Sequence, residues 1–420
     1  GRQAFKPRFA HFCRFYDRDD TVIDEGLVLY FPAPHSFTGE DVIELQGHGG
    51  MILQQQLLTR VFELGANQAV AGEFSARAFD NDKLDLVQAE AIADAIDATS
   101  VAAAKSAMRS LTGEFSQKIN ALLEQLIQLR LYVEAAIDFP DEEGVDFLAD
   151  EHIAKQLRQV CEQLNTVLAT AKQGQLLRDG VSVVIAGRPN AGKSSLLNRL
   201  AGQERAIVTD IAGTTRDILQ ETIVLNGLTL NLTDTAGLRH TDDIVEQAGI
   251  ERARQAITQA DLLLMVYDAH REHEPLRLAT ELFGSLPNAN SILMIANKID
   301  LSDNHQNLPK QFSSQEQIYH PVYVSCKYGT GLEELVNQIC DKVGFHPPEN
   351  SLIARTRHLD ALRRTQMALQ EADEQLHLFH AGELVAESLR QAQISLNEIT
   401  GEFTADDLLG KIFGSFCIGK

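Results

Sequence analysis

The feature that most constrains this chain is Gly187-Arg-Pro-Asn-Ala-Gly192-Lys193-Ser194-Ser195, a match to G-x-x-x-x-G-K-[ST]. A strand-like apolar run, Val181–Ala186, leads into it, and a helical pattern, Ser194 to Leu200, leads out. Strand, glycine loop and helix in that order form a phosphate cradle. The glycines let backbone N–H groups close around phosphate oxygens, and the helix start adds a favourable dipole. Asn190, Ala191, Gly192, Lys193, Ser194 and Ser195 are the expected nucleotide contacts here. Lys193 is expected to reach the β- and γ-phosphates and to act in catalysis, and the Ser194 hydroxyl to ligate Mg²⁺.

Around that loop, residues 180 to about 345 alternate apolar runs with helical stretches. The runs at Val181–Ala186, Leu262–Tyr267, Ile292–Ala296 and Val322–Val324 predict a mostly parallel, doubly wound sheet. Glu221–Leu225 and Leu228–Leu232 flank Asn226-Gly227, a hairpin signal that makes one sheet edge antiparallel. Four further elements follow in order, each at a strand end or beside the hairpin. Gly213-Thr214-Thr215-Arg216-Asp217 offers a threonine, Thr215, to close over Mg²⁺ and the γ-phosphate. Asp234-Thr-Ala-Gly237 offers Asp234 to Mg²⁺ and the Gly237 N–H to the γ-phosphate. Asn297-Lys298-Ile-Asp300 follows a buried strand, and the Asp300 carboxylate can accept from guanine N1–H and the 2-amino group, which adenine cannot supply. Ser325-Cys326-Lys327 can give a backbone N–H to guanine O6. Five such elements in this order form the GTPase signature and make the segment similar to a Ras-like G domain.

One position departs from that pattern. Leu238 stands where a Ras-like domain has a water-orienting Gln, and Leu cannot polarise water. Glu246, a little downstream, is the acidic candidate; its structural alternative is a solvated helix residue.

Residues 1 to about 80 read as mixed α/β, with strands at Gly26–Phe31 and Asp41–Leu45, a Gly47-His-Gly-Gly50 turn and a helix from Met51 to Leu64. His48 in that turn is ordinarily a structural residue. From Asp85 to Ala171 the pattern is helical, with apolar stripes Ala89, Ala91, Ile92, Ala95, Ile96 and Leu122, Leu123, Leu126, Leu129, Leu131, Val133. Pro140 and Asp141-Glu-Glu143 break it, and a further helix runs from Glu151 to Lys172. After about 350 the chain is helical again, through Leu359, Leu362, Leu369, Leu376, Leu384, Leu389 and Ile394, with Thr404 as the cap of a last short helix. The fold class is therefore a multidomain α/β and α protein with the α/β nucleotide unit inserted into a helical domain.

Composition limits the partners. With 37 Lys and Arg against 59 Asp and Glu, the formal charge of −22 argues against a broad basic nucleic-acid surface or a polybasic membrane anchor. The five cysteines show no C-x-x-C pair, which suits reduced thiols in the cytoplasm. No apolar run approaches the ~18 residues of a membrane span. The tail Cys417-Ile-Gly-Lys420 has the C-a-a-X register, but its Gly and Lys fit no prenylation class.

Strings along essentially the whole chain resemble the bacterial tRNA-modification GTPase family MnmE (TrmE). They are Ser36-Phe-Thr-Gly-Glu-Asp41, Glu44-Leu-Gln-Gly-His-Gly-Gly50, Gly72-Glu-Phe, Asn81-Asp-Lys83-Leu-Asp-Leu86, Gln88-Ala-Glu-Ala91, the GTPase elements, Gly401-Glu-Phe-Thr404 and Phe416-Cys-Ile-Gly-Lys420. The resemblance implies an N-terminal folate-binding and dimerisation domain over 1–82, with its first strand and a folate-contacting Gly/Arg-rich loop lying ahead of Gly1. It implies helical parts over 83–178 and 348–420 around a G domain at 179–347. It implies K⁺ on Asn190 and the carbonyls of Thr209, Ile211 and Thr214, with K⁺ replacing an arginine finger and Glu246 orienting water. Glu44, Lys83 and Lys420 would hold 5-formyl- or methylene-tetrahydrofolate, and Cys417 would matter for modification. The implied partners are a second copy, the FAD-bearing flavoprotein MnmG (GidA) in a heterotetramer or larger complex, and tRNA. The implied product carries an aminomethyl or carboxymethylaminomethyl group on C5 of the wobble uridine. Two other readings stay open: a ribosome-assembly GTPase similar to Era or EngA, and a one-carbon transferase regulated by its G domain.

Overall fold

The computed structural model describes residues 4–138, 151–202, 220–234, 256–301, 308–314, 316–347, 351–379 and 381–401. The chain forms two compact units. One comprises 1–93, 110–164 and 360–420; the other comprises 94–109 and 165–359.

The first unit opens with an antiparallel sheet of β1 (His11–Tyr16), β2 (Val22–Phe31) and β3 (Val42–Gln46), in that spatial order. Strand β1 is not anticipated by pattern. Its apolar residues point both ways, Phe12 being 69% exposed and Phe15 8%, and this hides the period of two. Helix α1 (Met51–Glu63) lies beside Leu45, Asp24 and His48, with an open pocket of about 400 Å³ between them. Helix α2 (Glu73–Asp80) follows, then α3 (Leu86–Ile96), which passes into the second unit at Asp94 as does most of α4 (Val101–Leu111), then α5 (Glu114–Asp138) in the first unit, and α6 (Glu151–Asp179), which passes into the second unit at Asn165. After the nucleotide unit come α10 (Thr356–Glu374) and α11 (Gly382–Thr400). Helix α5 buries Leu122, Leu126, Leu129 and Val133, spaced by four, three and four, and α11 packs along it.

Ile96, Leu131 and Ile394 of the expected stripes are exposed instead. Each lies two residues, about 200° of helix, from a buried neighbour, and so falls on the opposite face. Leu384 is exposed as well, beside buried Val385. On α3 the polar residues Glu90 and Asp94 are buried alongside Ala89 and Ala91. At the end of α11, Gly401 has φ +97° and a Cβ there would meet Phe79 at 2.9 Å and Leu86 at 3.0 Å. Only glycine satisfies both the turn and that approach.

In the second unit, β4 (Val181–Ala186), β5 (Gln220–Leu225), β6 (Leu228–Asp234), β7 (Leu262–Asp268), β8 (Ile292–Asn297) and β11 (Pro321–Tyr323) form one sheet. Its order is β11-β8-β7-β4-β6-β5, all parallel except the β5–β6 hairpin. Helices α7 (Lys193–Ala201), α8 (Pro275–Phe283) and α9 (Leu332–Val343) accompany it, and a small hairpin, β9 (Phe312–Ser314) and β10 (Gln317–Tyr319), stands apart. Strands β4, β7 and β8 are buried on both faces, as a doubly wound sheet requires.

The segments that enter and leave this sheet are tied together locally. Buried Asp94 accepts from Arg178 Nε at 2.8 Å and from an Arg355 terminal nitrogen at 2.8 Å. Ser106 Oγ donates to the Ser351 carbonyl at 2.9 Å. The hairpin turn seats on the start of α4, where Ser100 Oγ donates to the Gly227 carbonyl at 3.2 Å and Thr99 bonds Thr229 at 2.8 Å. Among the described residues, no helix is long and apolar enough to cross a membrane, and no group of three His, Cys, Asp or Glu is placed to hold a metal.

Candidate nucleotide site

The site lies beyond the carboxyl ends of β4, β7 and β8, where open α/β sheets bind ligands. The loop from Gly187 to Gly192 leaves β4 and turns directly into α7. Asn190 has φ +65° and Gly192 φ +99°, two left-handed residues that fold the loop back over the helix start. Gly187 passes so close to β7 that a Cβ would lie 2.1 Å from the Val266 carbonyl oxygen. Lys193 Nζ bends back onto the loop, donating to the carbonyls of Gly187 at 2.8 Å and Arg188 at 3.3 Å. That places an ammonium inside the ring of backbone that is shaped for phosphate oxygens. Ser194 and Ser195 are exposed at the helix start, where a hydroxyl is available to a phosphate-bound cation.

The elements expected to read the base converge on the same loop. Asn297, 2% exposed, donates Nδ2–H to the Ala191 carbonyl at 2.9 Å and accepts the Cys326 N–H at 3.2 Å. One amide therefore fastens the phosphate loop to the Ser325–Lys327 loop. The same amide explains Gly192, since a Cβ there would stand 2.2 Å from Asn297 Nδ2. Ser325 Oγ donates to Asp300 Oδ1 at 2.6 Å and orients the carboxylate expected to read guanine. Lys298, at φ +65°, donates to Asp268 Oδ2 at 2.8 Å. Burial pushes the Asp268 carboxyl up, but the Lys298 ammonium and the His270 N–H together hold it below its ordinary value. Burial raises the Cys326 thiol, so this cysteine is a packed group rather than a thiolate.

Asn190, Ala191, Gly192, Lys193, Ser194, Ser195, Asn297, Lys298, Asp300, Ser325, Cys326 and Lys327 thus surround one site. The backbone of Asp234 ends β6, paired with Ile185 of β4 beside the phosphate loop. Thr209, Ile211, Thr214, Thr215, Gly237 and Glu246 lie outside the described residues, as do Thr404, Cys417 and Lys420. Sequence reasoning missed two residues of the site. Asp268 had a signal, a carboxylate at the end of an apolar strand. Arg199 had none; it donates to the carbonyls of Cys326 at 2.9 Å and Lys327 at 2.8 Å from within α7.

The residues of the first unit are placed separately. Glu44 is exposed on β3, with Gln46 at 3.4 Å as its partner. Lys83 donates to the Pro34 carbonyl at 3.0 Å. No described hydrogen bond or ion pair joins the two. His48 is held by Asp24, which accepts its backbone N–H and its ring Nδ1, both at 2.7 Å. Those bonds raise the imidazole above its ordinary value and hold the Asp24 carboxyl below its own. They hold His48 against Asp24 of β2.

The family model described as the N-terminus of the GTP-binding protein TrmE matches residues 1–83. The model of the MnmE helical domain matches residues 86–417. The tRNA modification GTPase MnmE of Psychrobacter arcticus is 74% identical over all of this chain and 90% of its own length. That of Acinetobacter baylyi is 63% identical over 98% of this chain and 88% of its own length. Domain models along the length and identity of this extent lead to one conclusion: the chain belongs to the MnmE family of tRNA modification GTPases.

Proposed function

We propose that this chain hydrolyses GTP in a K⁺-dependent manner and, together with the flavoprotein MnmG, modifies C5 of the tRNA wobble uridine in the cytoplasm with a folate one-carbon donor. The observation that carries the proposal is the phosphate loop, whose left-handed Asn190 and Gly192 bring Lys193 Nζ into the ring of loop backbone. Lys193 neutralises charge on the transferring phosphoryl group, and α7 adds its N-terminal dipole. Ser194 and Asp234, with Thr215, are the residues that would hold Mg²⁺, which when bound neutralises charge on the β- and γ-phosphate oxygens. Asn190 and the carbonyls of Thr209, Ile211 and Thr214 would hold K⁺, which supplies positive charge where an arginine finger would otherwise stand. Glu246 orients the attacking water. Asp300, held by Ser325, selects guanine through N1–H and the 2-amino group.

The domain order we propose is a folate-binding and dimerising segment over 1–82, helical parts over 83–178 and 348–420, and a G domain over 179–347. Dimerisation is supported by the sheet face opposite α1, where Phe12, 69% exposed, registers against Leu27, 37% exposed. Glu44, Lys83 and Lys420 would bind the folate, and Cys417 would serve the modification step.

GTP hydrolysis in K⁺ against Na⁺ at equal ionic strength tests the cation reading. The wild type should run about a hundredfold faster in K⁺. Asn190→Ala and Asn190→Gly should both lose that advantage. The glycine variant keeps φ +65° accessible, so its loss reports the missing side chain rather than backbone strain. Equal wild-type rates in the two salts would refute it.

A further inference from the structure

The Ser325–Lys327 loop has a support that belongs to none of the GTPase sequence elements. Arg199 sits in the last turn of α7, the helix that the phosphate loop opens. Its guanidinium donates Nε–H to the Cys326 carbonyl at 2.9 Å and a terminal N–H to the Lys327 carbonyl at 2.8 Å. Two consecutive carbonyls on one planar fork fix two consecutive peptide planes. Because each peptide is planar and trans, the N–H of Lys327 points opposite to the Cys326 carbonyl, away from Arg199. The neighbouring Cys326 N–H is taken up by Asn297 Oδ1, which accepts it at 3.2 Å. The backbone donor expected to face guanine O6 is therefore the Lys327 N–H, aimed from behind by Arg199.

We propose that Arg199 is a positioning residue for guanine recognition: it acts through the Cys326–Lys327 backbone on the contact to O6, and joins the base loop to the helix that carries the phosphates. The inference rests on the reading that this loop contacts the base. Lysine would not replace it, because one ammonium on a flexible stem does not reproduce a two-carbonyl fork.

The test measures release of fluorescent GDP and of its 6-thio analogue, whose sulfur accepts hydrogen bonds weakly, from wild type, Arg199→Ala and Arg199→Lys. Wild type should release GDP about tenfold more slowly than 6-thio-GDP. Arg199→Ala should speed GDP release about tenfold and 6-thio-GDP release less than about twofold, so that the discrimination collapses. Arg199→Lys, which keeps the aliphatic stem and a charge, should fall between, and thermal unfolding of both variants checks that they are folded. Unchanged GDP release in Arg199→Ala, or an equal increase for both nucleotides, would overturn the proposal. If wild type itself does not distinguish the two nucleotides, the loop does not hold O6, and the underlying reading falls with it.

Discussion

Asn297→Asp gives the sharpest test of how the site is built. The substitution keeps size and shape and keeps an oxygen to accept the Cys326 N–H. It replaces the Nδ2–H group, 2.9 Å from the Ala191 carbonyl, with a second oxygen at a position 2% exposed. Two outcomes are open to the new carboxyl. Ionised, it is a buried charge facing a carbonyl oxygen, which costs on the order of 3–5 kcal/mol. Protonated, it donates O–H to Ala191 and restores the bond for about 1 kcal/mol or less. Its folded-state pKa is therefore raised above the unfolded value of about 3.9. Stability is then retained below that unfolded value and lost as pH rises toward the folded one, by up to about 1.4 kcal/mol per pH unit. The assay is urea unfolding of the nucleotide-free protein at about pH 5 and pH 7.5, read as variant minus wild type in the transition of the nucleotide unit. The deficit should be about 2–3 kcal/mol larger at the higher pH. An equal deficit at both would mean that Asn297 does not span Ala191 and Cys326, and the account of Gly192 would fail as well.

Two further outcomes follow from the same geometry. Asp300→Asn should weaken GTP binding by about a hundredfold and improve xanthosine triphosphate, whose 2-oxo group accepts from the new amide; competition binding with both nucleotides measures it, and an unchanged preference would exclude Asp300 from the base contact. The Asp24–His48 pair should make stability depend on pH. His48, raised, contributes fully below the ordinary imidazole value of 6.5 and loses its share as pH rises through its folded value, whereas Asp24, lowered, contributes fully above 3.8 and loses its share as pH falls. The stability difference between wild type and His48→Ala should therefore be greatest between those values, and a difference independent of pH would show that the pair is not formed.

The nucleotide unit was legible because its signals are local. Val181–Ala186 is a strand of those bounds, and the Asn226-Gly227 hairpin forms the antiparallel edge that its sequence announces. A glycine loop between an apolar run and a helix start leaves the backbone few alternatives, since each step depends on residues adjacent in the chain. The strand order, and so the meeting of residues some 100 positions apart, was not written locally. Only the packed sheet brings Asn297 to Ala191 and Cys326, and only the side of α7 facing the base loop makes Arg199 a partner of two carbonyls. Helix stripes divided in the same way. Periodicity identified the α5 core, but Leu131 faces out and Glu90 and Asp94 of α3 face in. Hydrophobicity alone does not exclude a carboxylate from the interior when, as for Asp94, guanidiniums from Arg178 and Arg355 satisfy it there. What this sequence determined by itself was the chemistry available at each segment, because phosphate loops, turns and hairpins are decisions of neighbouring residues. What only the tertiary structure decided was which of those groups touch, because burial and long-range hydrogen bonds depend on which faces the chain finally closes against each other.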